Sequence, residues 1–337
     1  MSSRFRIFIQ YAVIILATGL LIWLSLRGLH VGEGGNKWEY LVQTWNNANK
    51  EWLLLMAAIT MVSHFLRAVR WRMLLEPVGY KPKFVNSFLS LMVGYLVNLV
   101  VPRGGEVSRC YNLYKLDKTP VEISFGTVVV ERIVDVLCLL ILIALAFLLE
   151  TKKLFAFIDT LPLQGNAGGS RLTTIVYVVG VIALIGGIAY WLIRRNQRIN
   201  KFFKKTWDGF KGGLMSVFKL KNKWPFIFYS ITIWVLYFVM SYAVVRAFPS
   251  TSELGFEAVL SLFAIGSIAM AAPLPGGAGS YHVLVPQGLV FLYGIPRTDA
   301  VAFTFIFHGW QTAILIVAGA ISLILTSVLV KKNTKVD

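Results

Sequence analysis

The sequence predicts an all-α polytopic membrane protein, and three observations predict it. Hydrophobic residues make up 57% of the 337-residue chain and charged residues only 15%, against about 25% charged in an ordinary soluble domain, and the mean hydropathy is +0.68. The apolar residues gather into runs of about 20, the length that crosses a hydrocarbon core roughly 30 Å thick. Those runs lack the alternation of a barrel strand, so their backbone groups must be satisfied inside helices.

In chain order, strong apolar segments lie at 7–27, 52–74, 84–101, 124–149, 173–193, 225–248, 257–272 and 300–330, with a weaker one at 281–294. The first follows Arg4 and Arg6 but is too long for a cleaved signal and has no small-x-small exit, so it reads as a retained helix. The formal charge of +17 sits mainly in short loops beside the apolar runs, which makes it an orientation signal and excludes a nucleic-acid footprint. Arg72, Lys81 and Lys83, the ten Lys/Arg of 194–223 against Asp208 alone, and Lys331, Lys332 and Lys335 are all predicted to be cytoplasmic, and both chain ends with them, in a bacterial inner membrane. The stretch 28–51 mixes Lys37 and Lys50 with Glu33, Glu39 and Glu51 and is predicted to be external. Cys110 and Cys138 suggest neither a disulfide framework nor a metal site.

Between successive cytoplasmic loops the number of crossings must be even, yet each half of the chain holds one strong segment too many. The sequence marks the surplus. Segment 84–101 ends in Pro102-Arg103-Gly104-Gly105-Glu106, and segment 257–272 ends in Pro273-Leu274-Pro275-Gly276-Gly277-Ala278-Gly279. Proline removes a donor and paired glycines allow backbone that other residues avoid, so both are helix breaks. The arms before them reach only about 24–27 Å. The prediction is about six full transmembrane helices plus two re-entrant helical hairpins of opposite orientation, at 84–118 and 257–294, with eight transmembrane helices as the alternative. The halves are 7–193 and 225–330 of one integral membrane domain, and paired breaks of this kind point to a transporter's central site.

These residues carry a resemblance. Pro102-Arg103-Gly104-Gly105-Glu106-x-x-Arg109 and Pro275-Gly276-Gly277-x-Gly279, together with Arg67-x-x-Arg70-Trp71-Arg72-x-Leu74-Leu75 and Glu131-Arg132-x-x-Asp135, resemble the lysylphosphatidylglycerol synthase transmembrane (flippase-like) family, over about 7 to 330. The resemblance implies a domain that moves anionic or aminoacylated phospholipids, or polyprenyl-phosphate carriers, between leaflets. It also implies that the synthases' soluble aminoacyl-transferase domain, and with it the synthase activity, is absent from a chain ending at Asp337. The chain departs from the family at His282, where a glutamate is common.

Read residue by residue, the candidate headgroup site is Arg67, Arg70, Arg103, Gly104, Gly105, Glu106, Arg109, Pro275, Gly276, Gly277 and His282. Guanidinium groups present a planar fork of donors to phosphate oxygens and stay charged where water is scarce. Arg70, Arg103 and Arg109 are expected to grip the phosphate, with Glu106 orienting a guanidinium and amides behind the Gly-Gly breaks adding donors. Arg67 and Arg70 read equally well as snorkelling anchors. Glu131, Arg132 and Asp135 are either a proton-coupling group or ion-pair partners of those arginines. His282, His308, Gln311, Tyr95 and Asn98 carry weaker signals.

In 194–223, Phe202, Phe203, Trp207, Phe210, Leu214 and Phe218 recur at helical spacing with Lys201, Lys204, Lys205 and Lys211 between them, an interfacial amphipathic connector that Gly212-Gly213 would weaken. No catalytic residues, cofactor or metal are predicted. The expected ligand is an anionic membrane lipid and no nucleic acid, with a homo-oligomer and a lipid-synthesis enzyme left open as partners. The alternative to a translocase is a structural or regulatory membrane partner of an envelope-lipid synthesis enzyme.

Overall fold

A computed structural model of the chain describes Trp23 and residues 36–160, 197–271 and 274–333. The expected spans at 7–27 (Trp23 apart) and 173–193, together with Pro273 and Lys335, lie outside the described residues. Among the described residues every regular element is helical, and four helices are long and apolar enough to cross a membrane.

The stretch 28–51 is more than a connection. It holds α1 (Lys37–Asn47) and leads into α2 (Lys50–Leu75). Each starts at an asparagine whose side chain accepts from amides that no helical carbonyl can reach: Asn36 from Trp38 at 2.9 Å, and Asn49 from Glu51 at 2.9 Å and Trp52 at 3.3 Å. Two short helices follow, α3 (Phe84–Asn98) and α4 (Gly104–Asp117), then the long α5 (Val121–Thr160). Helix α5 is broken at Glu150 (φ −125°, ψ 41°), directly after the apolar segment at 124–149 ends. The second half runs through α6 (Gln197–Leu214), α7 (Trp224–Ala247), the short pair α8 (Phe256–Ala271) and α9 (Ser280–Tyr293), and α10 (Arg297–Asn333).

The two halves repeat one plan. Span, hairpin and span begin at Lys50, Phe84, Gly104 and Val121 in the first and, 172–176 residues later, at Trp224, Phe256, Ser280 and Arg297. The plan is inverted, because α2 and α7 pack antiparallel: Leu74 meets Phe226 at one end, and the Asn49 amide donates to the Ala247 carbonyl at 2.7 Å at the other. At about 1.5 Å per residue no hairpin limb spans the hydrocarbon core, so two hairpins, rather than eight crossings, describe the fold.

The hairpins enter from opposite ends and meet tip to tip. Asn86 donates to Asp117 at 2.9 Å across the open base of the first. The base of the second is tied to the break in α5, where Glu150 accepts from Ser261 at 2.7 Å and from Tyr293. At the tips, Arg103 Nη2 donates to the Ala271 carbonyl at 2.8 Å, and a Cβ placed on Gly276 would stand 3.1 Å from Leu99 Cδ2.

The two corners differ from each other. In the second, Gly276, Gly277 and Gly279 all have positive φ, as paired glycines predict. In the first the left-handed residue is Arg103 (φ 61°), while Gly104 and Gly105 are the opening residues of α4. Gly105 serves close approach instead: a Cβ there would lie 2.1 Å from the Gly94 carbonyl oxygen. Gly213 does the same between α6 and α5, where a Cβ would lie 2.2 Å from the Ile123 carbonyl oxygen and 3.0 Å from Gly126 Cα. The expectation that Gly212-Gly213 weakens the connector is therefore corrected, since the helix continues to Leu214 and docks through that glycine. Small residues of this kind drive helix contact in lipid, where apolar burial supplies no preference for protein over solvent.

Helix α1 lies against the start of α10. Tyr40 donates to Asp299, and burial together with that bond pushes the phenol up to about 12.

Candidate functional site

The meeting of the halves leaves a cavity of about 510 Å³ lined by α2, α5, α7, α10 and both hairpins, α3 with α4 and α8 with α9, including their corners. One side is polar, formed by His64, Arg67, Tyr95, Asn98, Arg103, Glu106, Arg132 and Asp135. The other carries no charged side chain and is mostly apolar, with Val259, Leu262, Phe263, Met270, Val285, Phe303 and Phe307 beside His308, Gln311 and Thr312.

Helix periodicity assembles the polar side. Arg67 and Arg70 lie one turn apart on α2 and face Glu131 and Asp135, one turn apart on α5. Arg67 Nη2 meets Asp135 Oδ2 at 2.6 Å and Arg70 Nη2 meets Asp135 Oδ1 at 2.8 Å, so a single carboxylate bridges both guanidiniums. Arg70 Nε also stands 3.5 Å from Glu131 Oε1. Arg109 reaches across from α4 to pair with Glu131, with its guanidinium 4.6 Å above the Trp71 ring. Trp71 is itself fixed by donation from its Nε1 to Thr127 at 2.9 Å. Arg132 Nη2 holds Glu106 Oε1 at 3.0 Å. Four guanidiniums thus meet three carboxylates, leaving one positive charge in excess, and Arg103 adds another at the rim.

The network has an inner and an outer layer. Arg70, Arg109 and Glu131 are buried and absent from the cavity wall, whereas Arg67, Arg103, Glu106, Arg132 and Asp135 line it. Arg132 has the most open side chain of the ion pairs around the cavity, 36% exposed. Glu106 therefore orients Arg132, and neither Arg103 nor Arg109 is its partner. Gly276 and Gly277 are on the wall, but Gly104, Gly105, Pro275 and His282 are not. The amides expected as free donors behind the first corner are already taken, Gly104 by the Val101 carbonyl at 2.9 Å and Gly105 by Asn98 Oδ1 at 2.7 Å.

Several side chains that line the cavity carry a buried polar atom without a protein partner: both His64 ring nitrogens, Tyr95 OH, Glu106 Oε2, Arg67 Nε, Arg132 Nε and Trp234 Nε1. His64 and Tyr95 stack with ring centroids 4.6 Å apart. Across the cavity, His308 Nε2 is 3.0 Å from the Gly276 carbonyl oxygen, and the rings of His282 and His308 are 4.8 Å apart. Among the described residues no group of three or more His, Cys, Asp or Glu could hold a metal ion.

His64, Trp234 and Tyr237 were not marked by the sequence. A histidine three residues before Arg67 inside an apolar run carried a usable signal, because ionisable groups at membrane depth are costly. Trp234 and Tyr237 did not, since aromatics on an apolar helix resemble ordinary packing. Tyr237 nevertheless accepts from Arg67 Nη1 at 2.8 Å, linking the second half to the charged network.

The family described as lysylphosphatidylglycerol synthase TM region matches residues 7–319. The chain belongs to this family. As a member of the lysylphosphatidylglycerol synthase TM region family it is a multi-pass membrane protein. Its relatives include the UPF0104 membrane protein MJ1595 of Methanocaldococcus jannaschii, 27% identical over 59% of this chain and 65% of the relative. Another is the glycosyltransferase AglD of Haloferax volcanii, 27% identical over 80% of this chain and 48% of the relative. The chain thus spans less than two thirds of the length of either. No solved structure matches it.

Proposed function

We propose that the chain translocates an anionic lipid, a phospholipid or a polyprenyl-phosphate carrier, between leaflets by alternating access. The observation that carries the proposal is a two-sided cavity between inverted halves: guanidiniums and carboxylates on one side, uncharged and mostly apolar side chains on the other. An unsatisfied buried polar group costs about 1–3 kcal/mol, and six such atoms belong to side chains of the charged side, a set that small side-chain shifts toward a bound headgroup would help to satisfy. In this reading Arg67, Arg103 and Arg132 meet the phosphate. Arg70, Arg109 and Glu131 hold Asp135 and α4 in place behind them. Rocking of one half against the other re-exposes the headgroup. No step makes or breaks a covalent bond.

Vesicles containing the protein and a fluorescent phosphatidylglycerol, or its phosphatidylcholine counterpart, test this by the rate at which an impermeant reductant reaches inner-leaflet label. Wild type should speed exchange of the anionic lipid. Arg132→Gln should slow it by about tenfold or more, the range of one charge-assisted hydrogen bond. Equal rates for protein-containing and empty vesicles would overturn the proposal. Orientation in a cytoplasmic membrane, with both chain ends inside, is part of the same reading; single cysteines at Lys115 and Arg297, both exposed, should label from the cytoplasmic and external sides respectively.

A second reading is favoured by one relative. The protein named as a glycosyltransferase carries this region within about half its length, which suits a membrane partner of a lipid-synthesis enzyme. That reading needs no open headgroup site, so full function in Arg67→Gln and Arg132→Gln variants would favour it.

A further inference from the structure

The cavity makes no use of the basic connector between the halves. We propose that α6 and the turn after it form a docking surface for the anionic phospholipid headgroups of the leaflet from which α7 enters the membrane. The surface is separate from the cavity and does not depend on what the cavity carries.

Its position follows from packing. The turn Met215–Lys219 is followed within a few residues by α7, a membrane span beginning at Trp224. Leu214, Val217 and Leu220 pack with Leu74 at the end of α2, Val130 of α5 and Phe226 at the start of α7. The backbone contact of Gly213 with Gly126, and of Gly209 with Glu122, whose Cγ would lie 2.7 Å from an added Cβ, ties α6 to the first turns of α5. Since α2 ends here while α5 and α7 begin here, these residues share one rim of the bundle, where protein, lipid headgroups and water meet.

Its chemistry follows from what the rim exposes. Lys204, Lys211, Lys219, Lys221 and Lys223 are all exposed, and among the described residues none of the five is ion-paired with a carboxylate. Between them stand Trp207, Phe218 and Trp224, at 53%, 70% and 77% exposure. Basic side chains alone would suit any polyanion. Large aromatics left open at a membrane rim suit the headgroup layer, where an apolar ring and a cation are both favourably placed. Each lysine near an anionic leaflet strengthens local binding by up to roughly fivefold, so five together make a strongly selective surface.

The test uses the full chain in vesicles of phosphatidylcholine with or without about 30% phosphatidylglycerol, a content high enough to give the leaflet a clear negative potential. The first readout is the relative association of spin-labelled phosphatidylglycerol and phosphatidylcholine with the protein. Wild type should prefer the anionic lipid. The combined variant K204Q/K211Q/K219Q/K221Q/K223Q should lose at least about threefold of that preference, and high salt should act in the same direction. The pair K204Q/K211Q, less disturbing to insertion, should lose part of it. The second readout is a polarity-sensitive dye on Phe218→Cys, in a chain whose Cys110 and Cys138 are replaced by Ser. Its emission should move to the blue when phosphatidylglycerol is added.

An unchanged preference in both lysine variants, or a dye indifferent to phosphatidylglycerol, overturns the proposal. Arg132→Gln, which disables the cavity, should leave the preference intact. Loss of preference in Arg132→Gln but not in the lysine variants would assign the lipid selectivity to the cavity and end the docking surface, whereas failure of transport alone would leave it standing.

Discussion

In matched register, Glu106, Arg132 and Asp135 of the first half stand against His282, His308 and Gln311 of the second, and Arg67 and Arg70 against Ser241 and Val244. The backbone plan is repeated while the charge is not. The first half spends its polar groups on ion pairs that join α2, α4 and α5. The second spends them on its own hairpin: His308 on the Gly276 carbonyl, and the His282 ring as acceptor for the Gly279 amide at 3.4 Å. Under the proposed function, an inverted repeat with charge on one side only would give a headgroup one strong station and one weak one. Under the translocase reading, that asymmetry lets an anion be captured and then released.

The largest expected effect breaks the comparison at its charged pole. Glu131→Ala strips the carboxylate from between Arg70 and Arg109 and leaves two buried guanidiniums short of a partner, costing about 3–5 kcal/mol. Gln311→Ala, its neighbour's counterpart on the open wall, should cost under about 1 kcal/mol; thermal unfolding of the purified protein measures both, and equal losses would erase the distinction. Next come the two corners. Gly105→Ala forces a methyl against the Gly94 carbonyl and should cost about 1–3 kcal/mol, whereas Gly276→Ala meets only the movable end of Leu99 and should cost about 1 kcal/mol for its left-handed backbone.

Tyr40→Phe, which removes the tie between α1 and α10 but touches neither half's polar centre, should lower stability by about 1 kcal/mol with lipid exchange unchanged. The smallest stability change should come from Arg103→Gly. Relief of left-handed strain, about 1 kcal/mol, offsets the lost bond to the Ala271 carbonyl, so unfolding should barely move while exchange of anionic lipid falls. Unaltered exchange would remove Arg103 from the site.

How much was legible beforehand varied with the physics involved. Helix existence was plain, because a run of apolar residues about 20 long has few other ways to satisfy its backbone in lipid. Both corners were legible from proline and glycine, though the residue that turns the first is Arg103, since the glycines there were needed for contact with Gly94. That Glu131 and Asp135 would pair with Arg67 and Arg70 was one of two readings that the sequence left open, beside proton coupling, and the ion pairs are what the packing shows. Which guanidiniums would face the cavity was not legible: Arg70 and Arg109 were favoured over Arg132, and the packing put them behind it. Glu150 gave no signal either, because a carboxylate after an apolar run looks like a helix end, not a tether for a distant hairpin.

By itself the sequence determined the helical class, the places of the two hairpin corners, and the gathering of charge in one half, because each depends on residues near one another along the chain. Only the tertiary structure decided that the two tips touch, that Glu106 belongs to Arg132, and which arginines are walled in. Those outcomes depend on how two inverted halves cross, and residues some 170 positions apart carry no local mark of whom they will meet.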